Sequence, residues 1–349
     1  MAKQPSSPPT LADVGRIAGY CASTVSMALR DDPRIPEITK EKVRKAAQKL
    51  QYVPDPMLAA LVARRSNSRR SRTLANIATL IDDRWPPNET NSWIVHHFAG
   101  MEKACQQLGY HLDRINIQRD LQTHPHPDKL LASRGIRGLV ILPVFDHNIV
   151  VPLDWNRYAS ITIGTPLDHV RTHHTSADLY SAMTLACEKV RELGYRRVGL
   201  AHWRLYEERN RYEWLGSLCK ESYSHEGFTV VPPYLSDEET SNACEVERWF
   251  LKHRPDCILT SSGWILRHLT SVGIKVPQDV GIVTLSRNLS YTRHYSGIIQ
   301  HLDTTAEAAV KHVHQMILHG ETGLPEHPSE IKIYPDWHEG DTTRRLKPA

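Results

Sequence analysis

The chain has 349 residues, 40% of them hydrophobic, which is enough for a sizeable core and for more than one domain. Its longest apolar runs, such as residues 138–144, are far too short to span a bilayer, and the first residues, MAKQPSSPPT, contain no apolar signal region. We therefore expect a cytoplasmic protein without membrane contact. The six cysteines are scattered without a CxxC pair, which favours reduced thiols over a disulfide framework or a zinc site.

Charge is distributed unevenly along the chain. Residues 1–72 contain 14 Lys and Arg against 6 Asp and Glu, a net charge of +8, so the total of +4 leaves −4 for residues 73–349. A basic segment on a mildly acidic body is the electrostatic pattern expected of nucleic-acid binding, although a solvated basic surface has the same composition.

Two short amphipathic helices are predicted at the start of the basic segment. Thr10 can cap the first helix, and Asp13 three residues on completes a capping box. Gly19 ends this helix where a left-handed residue is needed, and a second helix follows at once. Two short helices joined by a tight turn form a helix-turn-helix, whose second helix enters the major groove of DNA. The inward residues of that helix are Val25, Ala28 and Leu29, and the outward residues are Ala22, Ser23, Ser26, Met27 and Arg30.

A third helix is predicted to begin near Thr39 and to bury Val43, Ala46, Ala47 and Leu50. Asp55 and Pro56 then suit the start of a fourth helix over residues 57–64. Because this helix has barely two turns, we expect it to form only when something packs against it. The arginines that follow, interleaved with serine and asparagine as far as residue 72, have the composition of a linker.

These residues resemble the DNA-binding head of the lactose-repressor/galactose-repressor (LacI/GalR) family of bacterial transcription regulators. The helix-turn-helix pattern of the family is matched by Thr10, Asp13, Val14, Ala18, Gly19, Thr24, Val25, Ser26 and Leu29. The hinge pattern is matched by Tyr52, Pro54, Pro56 and Leu61. The resemblance implies a helix-turn-helix domain at 10–54, a hinge helix and linker at 55–72, and an effector-binding and dimerisation core at 73–349. We expect residues 1–9 to be disordered.

The resemblance also implies a role for individual residues of the head. The positions that read base edges are occupied by Ala22, Ser23 and Met27. Contacts to the phosphate backbone, which orient the protein without specifying sequence, are expected from Thr24, Ser26, Arg30, Arg34 and Lys42. Leu61 matches the hinge leucine that wedges into the minor groove and kinks the DNA.

Four positions depart from the family pattern. Gly15 stands where alanine is usual, which costs roughly 1 kcal/mol of helix propensity. Cys21 replaces the serine that caps the second helix, and Arg30 replaces an asparagine. Met27 replaces an arginine, so a bidentate contact to guanine is lost and a thymine methyl becomes a candidate partner. The operator should therefore differ from the usual one of the family.

The rest of the chain alternates apolar runs with helical stretches. Strands are predicted over residues 75–81, 138–144, 160–164, 197–201, 257–260 and 280–285, and helices over residues 94–108, 178–193, 214–224, 242–252 and 264–272. This alternation predicts parallel sheets with right-handed crossovers, in two Rossmann-like lobes with a ligand cleft between them. The order also resembles the family's core, which is like periplasmic sugar-binding proteins. The predicted fold class is thus an all-α helix-turn-helix head plus a two-lobed α/β core.

The ligand cleft departs from that of typical sugar-binding members. Arg211 fits the position of an arginine that meets polar effectors, although it could instead pair with Glu207 or Glu208. Two carboxylates that bind sugar hydroxyls in the family are missing, and Ser286 stands in the place of one of them. Aromatic side chains could stack on a sugar or could simply be core residues; the candidates are Trp264, Phe145 and Trp85.

Chemistry beyond binding is not indicated. The histidine pairs, such as His96-His97 and His173-His174, lack the spacing of metal ligands. No nucleotide-binding glycine loop, GxSxG or HExxH motif occurs. We therefore expect no metal, no cofactor and no enzymatic activity.

The function that these features favour is a transcription regulator, expected to act as a repressor. As a homodimer it would bind a pseudo-palindromic double-stranded DNA operator and respond to a small polar effector, with carbohydrates among the candidates. Two alternatives stay open: a two-lobed binding protein or enzyme with a vestigial head, and a DNA-binding regulator that no longer senses a ligand.

Overall fold

The computed structural model describes residues 9–29, 32, 34–50, 52, 76–85, 93–238, 242–287 and 292–346. These residues fall into two compact units, a head within Met1–Arg72 and a core within Thr73–Ala349. Among them, no helix combines the length and the apolar character needed to cross a membrane.

The head is built from three helices: α1 (Leu11–Ala18), α2 (Ala22–Leu29) and α3 (Glu37–Lys49). The predicted capping box is confirmed, since Asp13 N donates to Thr10 Oγ1 over 3.3 Å and Thr10 N donates to Asp13 Oδ2 over 2.9 Å. Gly19 is left-handed with φ 77°, also as predicted. One small core joins the three helices, and its buried members are Val14, Val25, Ala28, Val43, Ala46 and Ala47.

The third helix begins earlier than the sequence indicated. Pro36, not Thr39, is its N-cap, because the Pro36 carbonyl already accepts from Thr39 N over 2.9 Å and from Lys40 N over 3.1 Å. The Thr39 hydroxyl lies 3.4 Å from the Tyr20 hydroxyl instead. The predicted hinge helix over residues 57–64, with Leu61, lies outside the described residues, as does Arg30.

The first sheet of the core has six parallel strands. The chain runs through β1 (Asn76–Ile81), α4 (Trp93–Leu108), β2 (His111–Asn116), α5 (Pro127–Ser133), β3 (Ile136–Ile141), β4 (Ala159–Ile163) and β5 (His173–Ala177). A sixth strand, β12 (Glu330–Ile333), returns from near the C-terminus, and the sheet order is β12-β5-β4-β3-β1-β2. Every pairing in it is parallel, which agrees with the predicted crossover topology.

The second sheet follows the same plan. Its elements are α6 (Leu179–Glu192), β6 (Arg197–Trp203), α7 (Arg204–Arg209), α8 (Glu213–Ser224), β7 (Thr229–Val230), β8 (Tyr234–Ser236), α9 (Ala243–His253), β9 (Cys257–Thr260), α10 (Trp264–Ser271), β10 (Gly281–Thr284) and β11 (Ser296–Ile299). Two further elements are α11 (Leu302–His319) and β13 (Asp336–His338). The order is β13-β11-β10-β9-β6-β7, with β8 on β6, and only β13 is antiparallel to its neighbour. The two predicted parallel-sheet lobes are thus confirmed.

All six predicted strands are present; β9 has the predicted bounds, and the other five have one or both ends shifted. The second predicted strand was expected to extend to residue 144, but β3 ends at Ile141. Pro143 follows two residues later and has no N–H with which to continue the ladder.

Candidate functional site

The outward face of α2 is the candidate surface for reading DNA. Val25 and Ala28 are fully buried beneath it, as predicted. Ala22 and Ser23 are exposed, whereas Thr24, Ser26 and Met27 are half-buried. A capped first helix, a left-handed glycine and a second helix with small exposed side chains have the geometry of a helix-turn-helix whose second helix can approach base edges closely.

Cys21 lies immediately before α2. Its carbonyl accepts from Val25 N over 3.0 Å, and its Sγ lies 3.1 Å from Ser23 Oγ and 3.2 Å from Thr24 Oγ1. Hydrogen bonds from Ser23 and then Thr24 lower the pKa of this exposed thiol to about 7. The start of the candidate reading helix therefore has a group that ionises near neutral pH.

The two described basic residues expected at phosphate differ in their pairing. Arg34 forms a two-pronged pair with Asp32, with distances of 2.9 Å from Nε and 2.7 Å from the terminal nitrogen, and this pair raises the pKa of the guanidinium. The same guanidinium lies 3.8 Å from Met27 Sδ. Lys42 is exposed, and no described residue pairs with it. Lys42 is thus the freer of the two cations.

The core contains a cavity of about 150 Å³ at the carboxyl ends of its strands. Five of its lining residues come directly after or close to a strand end, namely Pro143 after β3, Gly164 after β4, Ser261 after β9, Ser286 after β10 and Gln300 after β11. Both sheets contribute to it. Ligands of open α/β sheets bind outside the carboxyl ends of the strands, so this cavity is the candidate effector site.

Helices supply much of the remaining lining. Trp93 and His97 come from α4, Tyr206 and Arg209 from α7, Trp214 from α8, and Leu302 and Thr305 from α11. His97 Nδ1 lies 3.0 Å from the Trp93 carbonyl oxygen, which can only accept, so Nδ1 carries the proton. Burial lowers the pKa of His97 to about 4. The imidazole is therefore neutral at pH 7, and its Nε2 is a hydrogen-bond acceptor.

Behind the cavity wall, Ser261 contacts His202, which is buried next to Glu207. His202 Nδ1 lies 2.9 Å from Ser261 Oγ, and His202 Nε2 lies 3.0 Å from Glu207 Oε1. Neither His202 nor Glu207 has any exposed surface. The hydrogen bond to His202 orients the Ser261 hydroxyl at the cavity wall, whereas the contact between His202 Nε2 and Glu207 Oε1 lacks the geometry of a hydrogen bond.

Of the residues that the sequence suggested for the effector, Ser286 lines the cavity. Arg211 is exposed in a left-handed turn between α7 and α8, with φ 50°, and Glu207 is engaged by His202 rather than by Arg211. Trp264 is buried among other residues of the second lobe, with its ring 6.3 Å from that of Tyr234.

The remaining two aromatic candidates form a stack behind the cavity wall. The rings of Trp85 and Phe145 are 3.9 Å apart, and Trp85 Nε1 donates to the Pro143 carbonyl over 2.6 Å. The Arg209 guanidinium lies 4.5 Å from the Trp85 ring centroid. Trp85 thus contacts an arginine of the cavity wall although it is not itself a lining residue.

Arg209 is the charged lining residue that sequence reasoning missed. It lies two positions before Arg211, which has the family spacing but is exposed. Ser261 and Gln300 carried a usable signal, because each is a polar residue directly after a buried strand. Among the described residues, no group of His, Cys, Asp and Glu could hold a metal ion.

Comparison with known proteins agrees with this architecture. Residues 10–55 match the model of the bacterial regulatory proteins of the lacI family. The chain is 22% identical to the HTH-type transcriptional repressor PurR of Aliivibrio salmonicida (strain LFI1238) over 304 residues, 82% of this chain and 84% of the relative. It superposes on a complex of the transcriptional regulator CelR with cellobiose at a TM-score of 0.60, with 17% identity over 96% of this chain and 99% of the other. A lac repressor dimer bound to operator and the anti-inducer ONPF gives a TM-score of 0.57. The identity is 16%, and the superposition covers 97% of this chain and 100% of the lac repressor chain.

A helix-turn-helix head and a two-sheet core with a cavity at its strand ends, in one chain, define a DNA-binding transcription regulator with a core like periplasmic binding proteins. The head matches the family model along its whole length, and relatives and fold likeness extend over most of the core. The chain is therefore similar to the bacterial regulatory proteins of the lacI family over its head, and its core has the fold of the lac repressor.

Proposed function

We propose that this protein is a cytoplasmic repressor that binds a pseudo-palindromic operator as a homodimer. The observation that carries the proposal is the α1–Gly19–α2 geometry, with a capped first helix and a small, exposed face on the second. A dimer with twofold symmetry presents two such heads to two half-sites. The lac repressor, which has the same fold, is a dimer on its operator. The functional limits that we propose are 10–54 for the DNA-binding domain, 55–72 for the hinge and 73–349 for the core.

For base reading we propose Ala22, Ser23 and Met27, which lie on the face of α2 opposite its buried Val25 and Ala28. The proposed phosphate contacts are Thr24, Ser26, Arg30, Arg34 and Lys42. Leu61 is proposed as the minor-groove wedge on the strength of the hinge pattern alone.

The core is proposed to bind a small polar effector in its cavity and to release it unchanged, without catalysis or a cofactor. Support comes from the cavity's position at the carboxyl ends of both sheets. CelR, which has the same fold, binds cellobiose. Of the effector residues that the sequence suggested, Ser286 keeps its place in the proposal because it lines the cavity, and Arg209 joins it.

In-vitro selection of DNA bound by the full chain tests the operator proposal. We expect an enriched site with two inverted half-sites, and a marked loss of affinity for it when Leu61→Ala removes the proposed wedge.

Met27→Arg should shift the selected half-site toward guanine at one position, since a bidentate arginine–guanine contact discriminates by about 1–3 kcal/mol. Tyr223→Ala, a substitution at a 96% exposed core residue, serves as the control and should leave the selected site unchanged. Selection without any enriched motif, or full affinity in Leu61→Ala, would contradict the proposal.

A further inference from the structure

The charged residues that line the cavity in the core are few and of one sign. Arg209 is the one lining residue with a formal charge at neutral pH, because His97 is neutral and no aspartate or glutamate belongs to the described lining. Hydroxyl and amide groups complete its polar surface; they belong to Ser176, Asn210, Ser261, Ser286, Gln300 and Thr305. A wall with one cation and no carboxylate is suited to a ligand that carries negative charge.

Arg209 lacks a partner of opposite charge within the part of the core that the structure describes. Its Nε is fully buried and makes no hydrogen bond, and the guanidinium instead lies over the face of Trp85. Burial lowers the pKa of Arg209 to about 10, so the group is still protonated at pH 7. Two acidic groups attract it, Tyr206 and Asp82, but Asp82 already accepts from Arg84 over 2.7 Å and from Gln118 over 2.7 Å.

A second donor in the same wall is also without a partner. Trp214 Nε1 is buried and unbonded, and an indole N–H can only donate. Buried donors without acceptors cost folding free energy, so proteins retain them where a ligand supplies the acceptor. Both residues line one cavity, and each N–H requires an acceptor such as an oxygen of a ligand.

The rest of the lining constrains the body of the ligand. Trp93, Leu179, Ile163 and Leu302 present aromatic and aliphatic surface to the cavity. His97 Nε2 faces no described donor and accepts from a ligand hydroxyl or N–H. A ring or short carbon skeleton with at least one hydroxyl and one anionic group fits these features together.

We propose that the effector of this protein is a small organic anion, whose carboxylate or phosphate accepts from Arg209 and whose carbon skeleton packs on Trp93 and Leu179. The proposal rests on the proposed function, in which this cavity is the effector site, and it narrows the chemical class of effector. In this proposal a cation binds the effector. The sequence lacks the carboxylates that bind sugar hydroxyls in other members.

The test is calorimetric titration of the full chain with three matched probe pairs. Galacturonate against galactose and benzoate against benzamide report a carboxylate, and ribose 5-phosphate against ribose reports a phosphate. We expect the anion of at least one pair to bind at least tenfold more tightly than its neutral partner. Arg209→Met should abolish that preference, and Arg209→Lys should keep it at reduced affinity. Equal or weaker binding of the anion in all three pairs would overturn the proposal.

A stability measurement separates ligand binding from a purely structural role of Arg209. Because the ligand-free protein holds a buried cation without a counter-charge, Arg209→Met should raise the thermal midpoint of the ligand-free chain. Arg211→Met, an exposed substitution two residues away, should change neither the midpoint nor the anion preference. A lowered midpoint in Arg209→Met, or loss of the preference in Arg211→Met, would overturn the proposal.

The same variants are assayed for binding to the selected operator. This assay distinguishes a failure of the effector proposal from a failure of the operator proposal. If the wild-type chain binds the operator but shows no anion preference, only the inference about the effector is wrong. If no operator can be selected, the regulatory proposal fails whatever the calorimetry shows.

Discussion

We predict that Cys21 makes operator binding sensitive to pH. Hydrogen bonds from Ser23 and Thr24 lower its pKa from 9.0 to about 7, so the free protein acquires a thiolate at the start of α2 between pH 6 and pH 8. DNA phosphates disfavour that negative charge, so in the complex the thiol stays protonated and binding takes up a proton as the pH rises. Operator affinity should therefore fall between pH 6 and pH 8, by up to about tenfold for each head.

Fluorescence anisotropy with a labelled operator at constant ionic strength measures this dependence. Cys21→Ser, which restores the residue usual in the family, should flatten the profile. Cys244→Ser removes an exposed thiol of the core and should keep the wild-type slope. An equal slope in Cys21→Ser would show that another group titrates.

Residue chemistry of this kind was only partly visible in the sequence. The capping box and the left-handed Gly19 are local devices with fixed spacing, so Thr10 and Asp13 could be assigned correctly. The environment of Arg209 could not, because it depends on Trp85 and Asp82, which are more than 120 positions away in the chain. Contacts between residues so far apart in the sequence are set by the fold. The hydrophobic periodicity of a short segment does not predict them.

Helix propensity predicts that Gly15→Ala stabilises α1, but the turn between α1 and α2 predicts the opposite. Glycine at position 15 should cost roughly 1 kcal/mol relative to alanine. In the structure, however, a Cβ on Gly15 would lie 2.4 Å from the Tyr20 carbonyl oxygen, and that carbonyl belongs to the backbone of the turn. We predict that Gly15→Ala destabilises the head and weakens operator binding, since the two helices must move apart to admit the methyl group.

Hydrogen exchange of the amides in α1 and α2 measures this effect directly in the full chain. Gln48→Ala, on the exposed face of α3, tests propensity alone and should leave exchange in those helices unchanged or slower. Slower exchange in Gly15→Ala would mean that propensity outweighs the close contact.

Among the secondary structure elements of the core, the predicted ones are those with continuous apolar runs. The strands β9 and β10 are buried on both faces and read as short hydrophobic stretches. Several of the missed strands lie at or near sheet margins: β2, β12 and β13 each contain charged residues, and β5 has the sequence HHTSA with only Thr175 buried. Their pairing comes from backbone hydrogen bonds to a neighbouring strand, which leave no hydrophobic pattern.

At the scale of the whole molecule, charge is divided between the two units. The chain is net +8 over residues 1–72 and −4 over residues 73–349, so attraction to DNA should reside in the first segment. Not every cation there is equally available. Arg34 is already neutralised by the paired oxygens of Asp32, whereas Lys42 is exposed without a described partner.

This difference predicts how salt acts on operator binding. A cation that neutralises a phosphate releases counterions, and each such contact adds about 0.9 to the slope of log affinity against log salt concentration. Lys42→Ala should therefore lower the slope by about 1 for each head, while leaving the preferred DNA sequence as it was. Arg34→Ala should change the slope by clearly less, because Asp32 compensates the charge in the free protein and the substitution leaves that carboxylate behind. Anisotropy titrations from 50 to 200 mM salt, on the selected operator and on a scrambled duplex, distinguish the two. A larger change in slope for Arg34→Ala than for Lys42→Ala would mean that DNA displaces Asp32 and that the Arg34–Asp32 pair opens on binding.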